Sequence, residues 1–201
     1  AEGKRLVSYG EHNEAAMAER LAEDLAQGVD VALVSEGGMP LISDPGYRLV
    51  QAALAKGVAV APIPGANAAV AALAASGLPV HGFIFRGFLP KKPGARRRML
   101  ESLKDREETL IFYESPQRVP KVLPEFVEVF GAERPACLAR ELTKVHETLV
   151  RLPLGELARQ VAATPPRGEC TLLVAGAGRG RGDDATADDA EDSASSAPLE
   201  R

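Results

Sequence analysis

Residues 31–46 read VALVSEGGMPLISDPG, a strand-like apolar run followed by a loop rich in glycine and proline. Gly37 and Gly38 permit positive φ and leave the backbone open to a ligand, while Pro40 and Pro45 stiffen the loop by fixing φ. In open α/β sheets, ligands bind outside the carboxyl ends of the strands. The segment therefore predicts a ligand-binding loop at the end of a buried strand.

The residues around this loop alternate between strand and helix patterns. Apolar runs typical of strands lie at 5–8, 31–35 and 58–65, and helical patterns lie at 11–28, 46–57 and 66–77. In the first helical pattern, Met17, Leu21 and Leu25 form one apolar stripe, and Gly28 is a stop signal. The alternation predicts a mainly parallel α/β domain at residues 1–80.

The pattern changes near residues 78–82, where we place a domain boundary. Strand-like runs follow at 83–88, 109–115, 135–143 and 167–178, and helical segments lie within 89–108, 115–131 and 152–164. They predict an α+β domain at 81–178 with a mixed sheet of four or five strands. Residues 179–201 hold three Arg against seven Asp or Glu, which accounts for the net charge of -4. Such a tail has little to bury, so we expect it to be disordered.

Composition and residue spacing exclude several classes of protein. No apolar run approaches the roughly 18 residues of a membrane-spanning helix, and the first residues do not resemble a signal peptide, so we expect a cytoplasmic protein. His12, His81 and His146 lack the spacing of metal ligands, so we expect no metal. Cys137 and Cys170 lie far apart in apolar runs and predict buried free thiols.

A second loop, PIPGANAA at 62–69, follows the next predicted strand. Ala66, Asn67 and Ala68 are small residues at the start of a helix, where the first N–H groups have no partner within the helix. Neither loop has GxGxxG spacing, and no Walker lysine follows, so a dinucleotide or triphosphate site is not supported. The two loops together predict one cleft for a flat, polar ligand that contacts mainly backbone.

Several segments, in this order and at this spacing, resemble the tetrapyrrole methylase superfamily. They are SEGGMPLISDPGYRLV, PIPGANAAVAALAASGLP, FRGFLP, IFYESPQRV, ARELTKVHE and RGECTLLVAG. FYES and ARELTK resemble the branch that acts on ribosomal RNA. The resemblance implies a two-domain fold, S-adenosylmethionine as cofactor, and methylation of the 2'-hydroxyl of a decoding-region cytidine in 16S rRNA of the small ribosomal subunit. It also implies a homodimer.

The resemblance implies a cofactor cleft between the two domains. Its expected lining residues are Glu36, Gly38, Met39, Pro40, Ile42, Asn67, Ala68, Phe112, Tyr113 and Leu142. For each of them, ordinary packing is the alternative role. Without the resemblance, a place in the hydrophobic core is as good an interpretation of Phe112 and Tyr113 as a role in cofactor binding.

Methyl transfer to a ribose hydroxyl needs in-line positioning and a group that accepts the hydroxyl proton. We expect this proton handling from Glu114, Arg140, Glu141 and Lys144, with a carboxylate or a neutral lysine as base. A structural ion-pair network is the alternative for these four residues.

The basic run KKPGARRR predicts RNA contacts through Lys91, Lys92, Arg96, Arg97 and Arg98. No aromatic residue is interleaved with them, which favours phosphate contacts over base stacking. A solvated helix face is the alternative.

The chain departs from the family pattern in three places. Members usually begin with a further strand, a glycine-containing loop and an EDTR-like segment, so we expect an incomplete N-terminal domain. Glu36, Gly37 and Met39 stand within a loop that usually reads SDAGTP, and PGANA replaces PGPSA or PGPCA. Two other functions therefore stay open: a methyltransferase of the same fold acting on a small tetrapyrrole, and a non-catalytic RNA-binding fragment.

Overall fold

The computed structural model describes residues 3–178, and the tail at 179–201 that was predicted to be disordered lies outside them. The helices in this range are α1 (Glu14–Ala26), α2 (Tyr47–Ala55), α3 (Ala68–Ser76), α4 (Pro93–Glu101), α5 (Val119–Phe130) and α6 (Leu154–Ala163). The strands are β1 (Phe83–Phe88), β2 (Thr109–Glu114), β3 (Pro135–Arg140), β4 (Thr148–Pro153) and β5 (Cys170–Val174). The predicted α/β class is confirmed, and none of the described helices is long and apolar enough to cross a membrane.

The five strands form one mixed sheet in the order β1-β2-β5-β3-β4. β1 and β2 are parallel, and the other neighbouring pairs are antiparallel. β2 and β5 lie in the interior of the sheet and are buried along nearly their whole length. Burial on both faces explains why these two strands are continuous apolar runs without a polar alternation.

The larger hydrophobic core lies between one face of the sheet and helices α4, α5 and α6. Phe112 of β2 packs edge to face against Phe126 of α5, with ring centroids 5.2 Å apart. Phe126 in turn meets Phe130 at 5.4 Å. This core anchors α5, which is the most strongly amphipathic of the described helices because its apolar residues share one face.

Helix α3 covers the opposite face of the sheet. Ala69, Ala72 and Leu73 pack against Ile111 and Leu173, along with neighbouring residues of β3. Alanine on the inner face of α3 allows the helix to approach the strands closely. α3 therefore holds the loop at its N-terminus in a fixed position above the end of β2.

The predicted strands at 5–8, 31–35 and 58–65 are wrong, because the described residues 3–80 contain no strand. A strand needs a hydrogen-bonded neighbour, and none of these segments pairs with another. Leu6 and Val34 are 85% and 82% exposed, so their apolar patterns do not mark burial here. The part of the chain around them is held by α1 and α2, which bury Ala18, Leu21 and Leu49.

β4 is a strand that the sequence patterns missed. It forms an antiparallel hairpin with β3 across the loop at 141–147, with Arg140 opposite Thr148. β4 is an edge strand whose residues are only half-buried or exposed, so its sequence TLVRLP has weak alternation. The hairpin explains the positive φ of Glu141 and Thr143 in the connecting loop.

Candidate functional site

The two loops that were predicted to share a cleft meet at Gly38. Gly38 has φ of 82°, and a Cβ built on it would lie 3.2 Å from the carbonyl oxygen of Ala66. The hydroxyl of Ser35 donates a hydrogen bond to the Gly38 carbonyl at 2.8 Å. Both the backbone conformation and the limited space therefore favour glycine at this position.

The N-terminus of α3 is capped by residues of the candidate site. Oδ1 of Asn67 accepts hydrogen bonds from the N–H groups of Ala69 and Val70 at 3.0 and 3.2 Å. The phenol oxygen of Tyr113 also accepts from Ala69, at 3.1 Å. We predicted that the first N–H groups of this helix are free to bind a ligand. For Ala69 and Val70 this prediction is wrong, because their N–H groups already donate to Asn67 and Tyr113.

Tyr113 links the end of β2 to the start of α3, next to the second loop. Its oxygen accepts the Ala69 bond, which leaves its own O–H as a donor. Burial raises the pKa of Tyr113, and the negative charge of Asp44 adds to the increase. The phenol therefore stays protonated at neutral pH and remains a hydrogen-bond donor.

The remaining predicted lining residues lie around this point with part of their surface accessible. Met39, Pro40, Asn67 and Leu142 are half-buried, and Leu142 packs against the same cluster as Tyr113. Glu36, Gly38, Ile42 and Ala68 are exposed. The cofactor roles of these residues stay predictions.

Phe112 was predicted to line the cofactor cleft, and the structure places it elsewhere. Neighbouring residues of a strand point to opposite faces of the sheet, and Phe112 lies in the core beneath α5 while Tyr113 faces α3. Its ring is fully buried. Only Tyr113 of this pair offers its side chain to the α3 face.

Glu114 also faces away from the predicted cleft. It is 2% exposed, and its Oε1 accepts a hydrogen bond from the N–H of Ser115 at 2.7 Å. Oε2 lies 3.1 Å from the Arg118 guanidinium, but the geometry of this ion pair is not that of a hydrogen bond. Burial raises the pKa of Glu114 despite the two nearby arginines, Arg118 and Arg96. A carboxyl enclosed in this way does not reach a ribose, so the predicted catalytic role of Glu114 is not supported.

Glu141 and Lys144 form an ion-pair network on the loop between β3 and β4. Lys144 Nζ lies 3.0 Å from Glu141 and 2.9 Å from Glu169. Hydrogen bonds to these carboxylates raise the pKa of Lys144, and the N–H of Glu169 together with Lys144 lowers the pKa of Glu141. These contacts favour the charged form of Lys144 and argue against its predicted role as a neutral base, which stays a prediction.

Arg140 lies at the start of the same loop. Its guanidinium donates hydrogen bonds to the hydroxyl of Thr148 at 3.1 Å and to the carbonyl of Arg167 at 3.3 Å. These contacts fix the loop against the segment that precedes β5. Catalytic roles for Arg140 and Glu141 stay predictions.

The basic run divides into buried, paired and unpaired side chains. Arg96 is buried and forms a bidentate ion pair with Glu125, and it also donates to the Pro90 carbonyl. Arg97 pairs with Glu101 and Glu128. Lys91, Lys92 and Arg98 are exposed and form no ion pair within residues 3–178. Arg96 is therefore a structural residue, and the three unpaired cations are the candidates for RNA contact.

A cleft of about 380 Å³ lies beside the candidate cofactor loops and was not predicted. Residues that line it are Glu11, Glu14, Ser43, Asp44, Tyr47, Arg86 and Phe88. Two signals in the sequence could have found it: the carboxylate in SDPG, and a glycine inside the strand pattern FIFRGF, which indicates a bulge.

Comparison with known proteins gives the chain a clear set of relatives. The sequence profile of the family described as Tetrapyrrole (Corrin/Porphyrin) Methylases matches residues 3–158. The protein named Ribosomal RNA small subunit methyltransferase I of Pseudomonas aeruginosa is 50% identical over 173 residues, which cover 85% of this chain and 61% of the relative. The protein of the same name in Halalkalibacterium halodurans is 49% identical over 174 residues, or 87% and 60% of the two chains.

Among solved structures, the methyltransferase CobJ superposes with a TM-score of 0.67 at 25% identity, covering 88% of this chain and 77% of CobJ. The chain spans about three fifths of the length of the two curated relatives named above.

Proposed function

Since the chain belongs to the tetrapyrrole methylase family, we propose that it transfers a methyl group from S-adenosylmethionine to the 2'-hydroxyl of a cytidine in 16S ribosomal RNA. The name of its close relatives, ribosomal RNA small subunit methyltransferase, supports the class of substrate. The resemblance of the FYES and ARELTK segments supports the ribose hydroxyl as the acceptor. We also propose, from the same resemblance, a homodimer in the cytoplasm acting on the small ribosomal subunit.

The observation that carries the proposal is the meeting of the Gly38 and Ala66 loops beside Tyr113. There the backbone is accessible at Gly38, the side chains of Met39 and Pro40 supply partly exposed apolar surface, and the Tyr113 phenol supplies a donor. The side-chain nitrogen of Asn67 has no partner within residues 3–178 and is a second donor. Apolar walls with a few placed polar groups suit a ligand such as S-adenosylmethionine.

When bound, S-adenosylmethionine supplies an electrophilic methyl group. The residues that would hold it are Gly38, Met39, Pro40, Ile42, Asn67, Ala68, Tyr113 and Leu142, with Glu36 at the edge of the loop. Their contribution is orientation and the exclusion of water, which supply most of the acceleration in a displacement of this type.

Binding of the RNA backbone is assigned to Lys91, Lys92 and Arg98. Lys91 and Lys92 are exposed on the turn before α4, and Arg98 is exposed in the last turn of the helix. Each phosphate contact releases counterions and steepens the dependence of affinity on salt. We expect neutralisation of the three residues to weaken subunit binding and to flatten its salt dependence.

The test is incubation of the chain with methyl-labelled S-adenosylmethionine and small ribosomal subunits, followed by mapping of the label. The expected result is label on the 2'-oxygen of a single cytidine. Label on an added tetrapyrrole instead would favour the small-molecule methyltransferase, and subunit binding without cofactor binding would favour the non-catalytic fragment.

Adjacent glycines provide a matched pair of variants for the cofactor site. Gly38→Ala places a Cβ against the Ala66 carbonyl in a backbone conformation with positive φ, whereas a Cβ at Gly37 meets nothing within 4 Å. We expect Gly38→Ala to weaken S-adenosylmethionine binding, measured by calorimetry, while Gly37→Ala binds as the parent does. Equal binding by the two variants would contradict the assigned site.

A further inference from the structure

The cleft beside the cofactor loops has a shape that depends on an irregularity in β1. Phe85 of β1 pairs with Ile111 of β2, and the next partners are Phe88 and Tyr113, so β1 has one residue more than β2 between them. Gly87 occupies this bulge with φ of 63°. Bulges of this kind re-aim side chains and occur next to active sites.

The bulge puts Phe88 on the same face of the sheet as Tyr113. In a regular strand, residues three apart point to opposite faces, yet both Phe85 and Phe88 contact the Tyr113 ring edge to face, at 4.8 and 5.7 Å. Phe85 is half-buried, whereas Phe88 remains 57% exposed. An aromatic side chain is thus held against Tyr113 with much of its ring surface accessible from the cleft.

The polar residues of the cleft include two without a partner in the described part of the chain. Arg86 and Asp44 form no hydrogen bond or ion pair within residues 3–178. Glu14, by contrast, accepts from the N–H of Gly46 at 2.9 Å and pairs with Arg48. Tyr47, which is 66% exposed, adds a second aromatic ring to the lining.

This combination suits a nucleobase better than a phosphate. Aromatic side chains and arginine stack on unpaired bases of RNA, and a carboxylate such as Asp44 accepts a hydrogen bond from the exocyclic amine of cytosine. A phosphate would meet the carboxylates of Glu11 and Asp44 against a single free guanidinium. The charges in the cleft therefore favour an uncharged base whose edge carries a hydrogen-bond donor.

We infer that this cleft holds one unstacked cytosine of the RNA substrate, with Phe88 as its stacking surface and Asp44 as the acceptor for its amino group. The inference rests on the proposed function and names the part of the RNA that the chain recognises. Tyr113 lies between this cleft and the N-terminus of α3, so the base is placed next to the candidate cofactor loops.

The stacking role is tested by the affinity of the full chain for fluorescein-labelled single-stranded oligocytidine, measured by anisotropy. Loss of one stacked base weakens binding by about 5-fold to 150-fold, and we expect Phe88→Ala to fall in this range. Phe88→Tyr keeps an aromatic ring and should bind as the parent does.

Phe83 provides a matched control because it lies on the same strand and is 44% exposed, but at the opposite end of β1. We expect Phe83→Ala to retain the parent's affinity. Unchanged binding by Phe88→Ala, or an equal loss in Phe83→Ala, would overturn the stacking role.

The hydrogen-bond role is tested by the ratio of affinities for oligocytidine and oligouridine. Uracil has an acceptor where cytosine has its amine, so the Asp44 carboxylate should disfavour it. Asp44→Asn should bring the ratio toward one, because an amide both donates and accepts. The exposed Asp105 supplies the control variant Asp105→Asn, which should keep the parent's ratio. A parent ratio of one, or an Asp44→Asn ratio equal to the parent's, would overturn the cytosine assignment.

Methyl transfer to small subunits, measured on the parent chain, separates this inference from the proposed function. Transfer by the parent together with unchanged Phe88→Ala binding would discard the base site and keep the function. Binding that depends on Phe88 without methyl transfer would keep the base site and discard the function.

Discussion

Among single residues, Arg96 illustrates how a charged side chain in a basic run takes a structural role. Its neighbours Lys91, Lys92 and Arg98 are exposed, while Arg96 turns toward the core and pairs with Glu125 of α5. Four hydrogen bonds, two to the carboxylate and two to the carbonyls of Pro90 and Lys91, hold the turn before α4. A run of five cations in the sequence therefore overstates the positive charge that RNA would meet.

We predict that Arg96→Gln lowers the free energy of unfolding by about 3 kcal/mol, because removal of one member of a buried pair leaves Glu125 unpaired. Urea denaturation measures this change. Arg98→Gln removes an exposed cation from the same helix and should change stability by no more than about 0.5 kcal/mol. Equal midpoints for the two variants would count against a structural role for Arg96.

The buried carboxyl of Glu114 leads to a prediction about how stability depends on pH. Burial raises its pKa in the folded chain above its ordinary value of 4.5, so the folded state binds the proton more tightly than the unfolded state. Stability from this group is then present below pH 4.5 and is lost as pH rises through the raised pKa. Glu114→Gln removes this titrating group. We therefore expect the free energy of unfolding of Glu114→Gln, relative to that of the parent, to increase as the pH rises from 4.5 through the raised pKa.

Urea denaturation of parent and variant at a series of pH values tests this sign. Glu133 is exposed, and Glu133→Gln serves as the control. Its free energy of unfolding relative to the parent should not show the increase with pH that we expect for Glu114→Gln. A stability difference for Glu114→Gln that is flat or decreases with pH would refute the prediction.

At the scale of elements, α3 depends on its cap. Oδ1 of Asn67 satisfies two N–H groups of its first turn, and the inner face of the helix carries only small residues and Leu73. The helix thus has little side-chain burial to compensate for a lost cap. It also carries the candidate cofactor loop, so its stability and the geometry of the site are linked.

We predict that Asn67→Ala lowers the free energy of unfolding by about 1 kcal/mol, the usual effect of removing a cap. Asn67→Asp keeps an acceptor for the same N–H groups and should retain most of the parent's stability. Thermal or urea denaturation of the three proteins decides this. An Asn67→Asp variant as unstable as Asn67→Ala would show that the cap bond does not carry the effect.

Over the whole molecule, burial is unequally distributed. The interior strands β2 and β5 are covered on both faces, by α3 and by the larger core. The buried residues of α1 and α2 are few and include three alanines: Ala18, Leu21, Ala22, Leu49 and Ala53. Local opening of the α1 and α2 region therefore exposes much less apolar surface than opening of the sheet.

We predict from this difference that backbone amides of α1 and α2 exchange with deuterium faster than those of β2 and β5. Native-state hydrogen exchange followed by mass spectrometry measures the protection of each element. Equal protection in the two regions would mean that the chain opens only as one cooperative unit.

Sequence patterns predicted every described helix and four of the strands, because helical apolar stripes, glycine stop signals and short apolar strand runs are all local features of the chain. They failed where a partner decides the outcome. The apolar runs at 5–8, 31–35 and 58–65 look like strands but have no pairing neighbour within residues 3–80, and the edge strand β4 is recognisable only from its register with β3. The resemblance also predicted Tyr113 and Asn67 as candidate site residues, but only the structure shows that both accept a hydrogen bond from the N–H of Ala69.

The amino-acid sequence by itself determined the α/β class, the positions of the helices, the family and the two loops of the candidate cofactor site. These depend on local pattern and on motifs at fixed spacing. Tertiary structure decided which side of a strand each residue faces and which charges are already paired. It turned Phe112 and Glu114 into the core, paired Lys144 with two carboxylates and, through one extra residue at Gly87, brought Phe88 to the face of Tyr113. The physical reason is that exposure and pairing depend on neighbours distant in the chain, about which a local pattern carries no information.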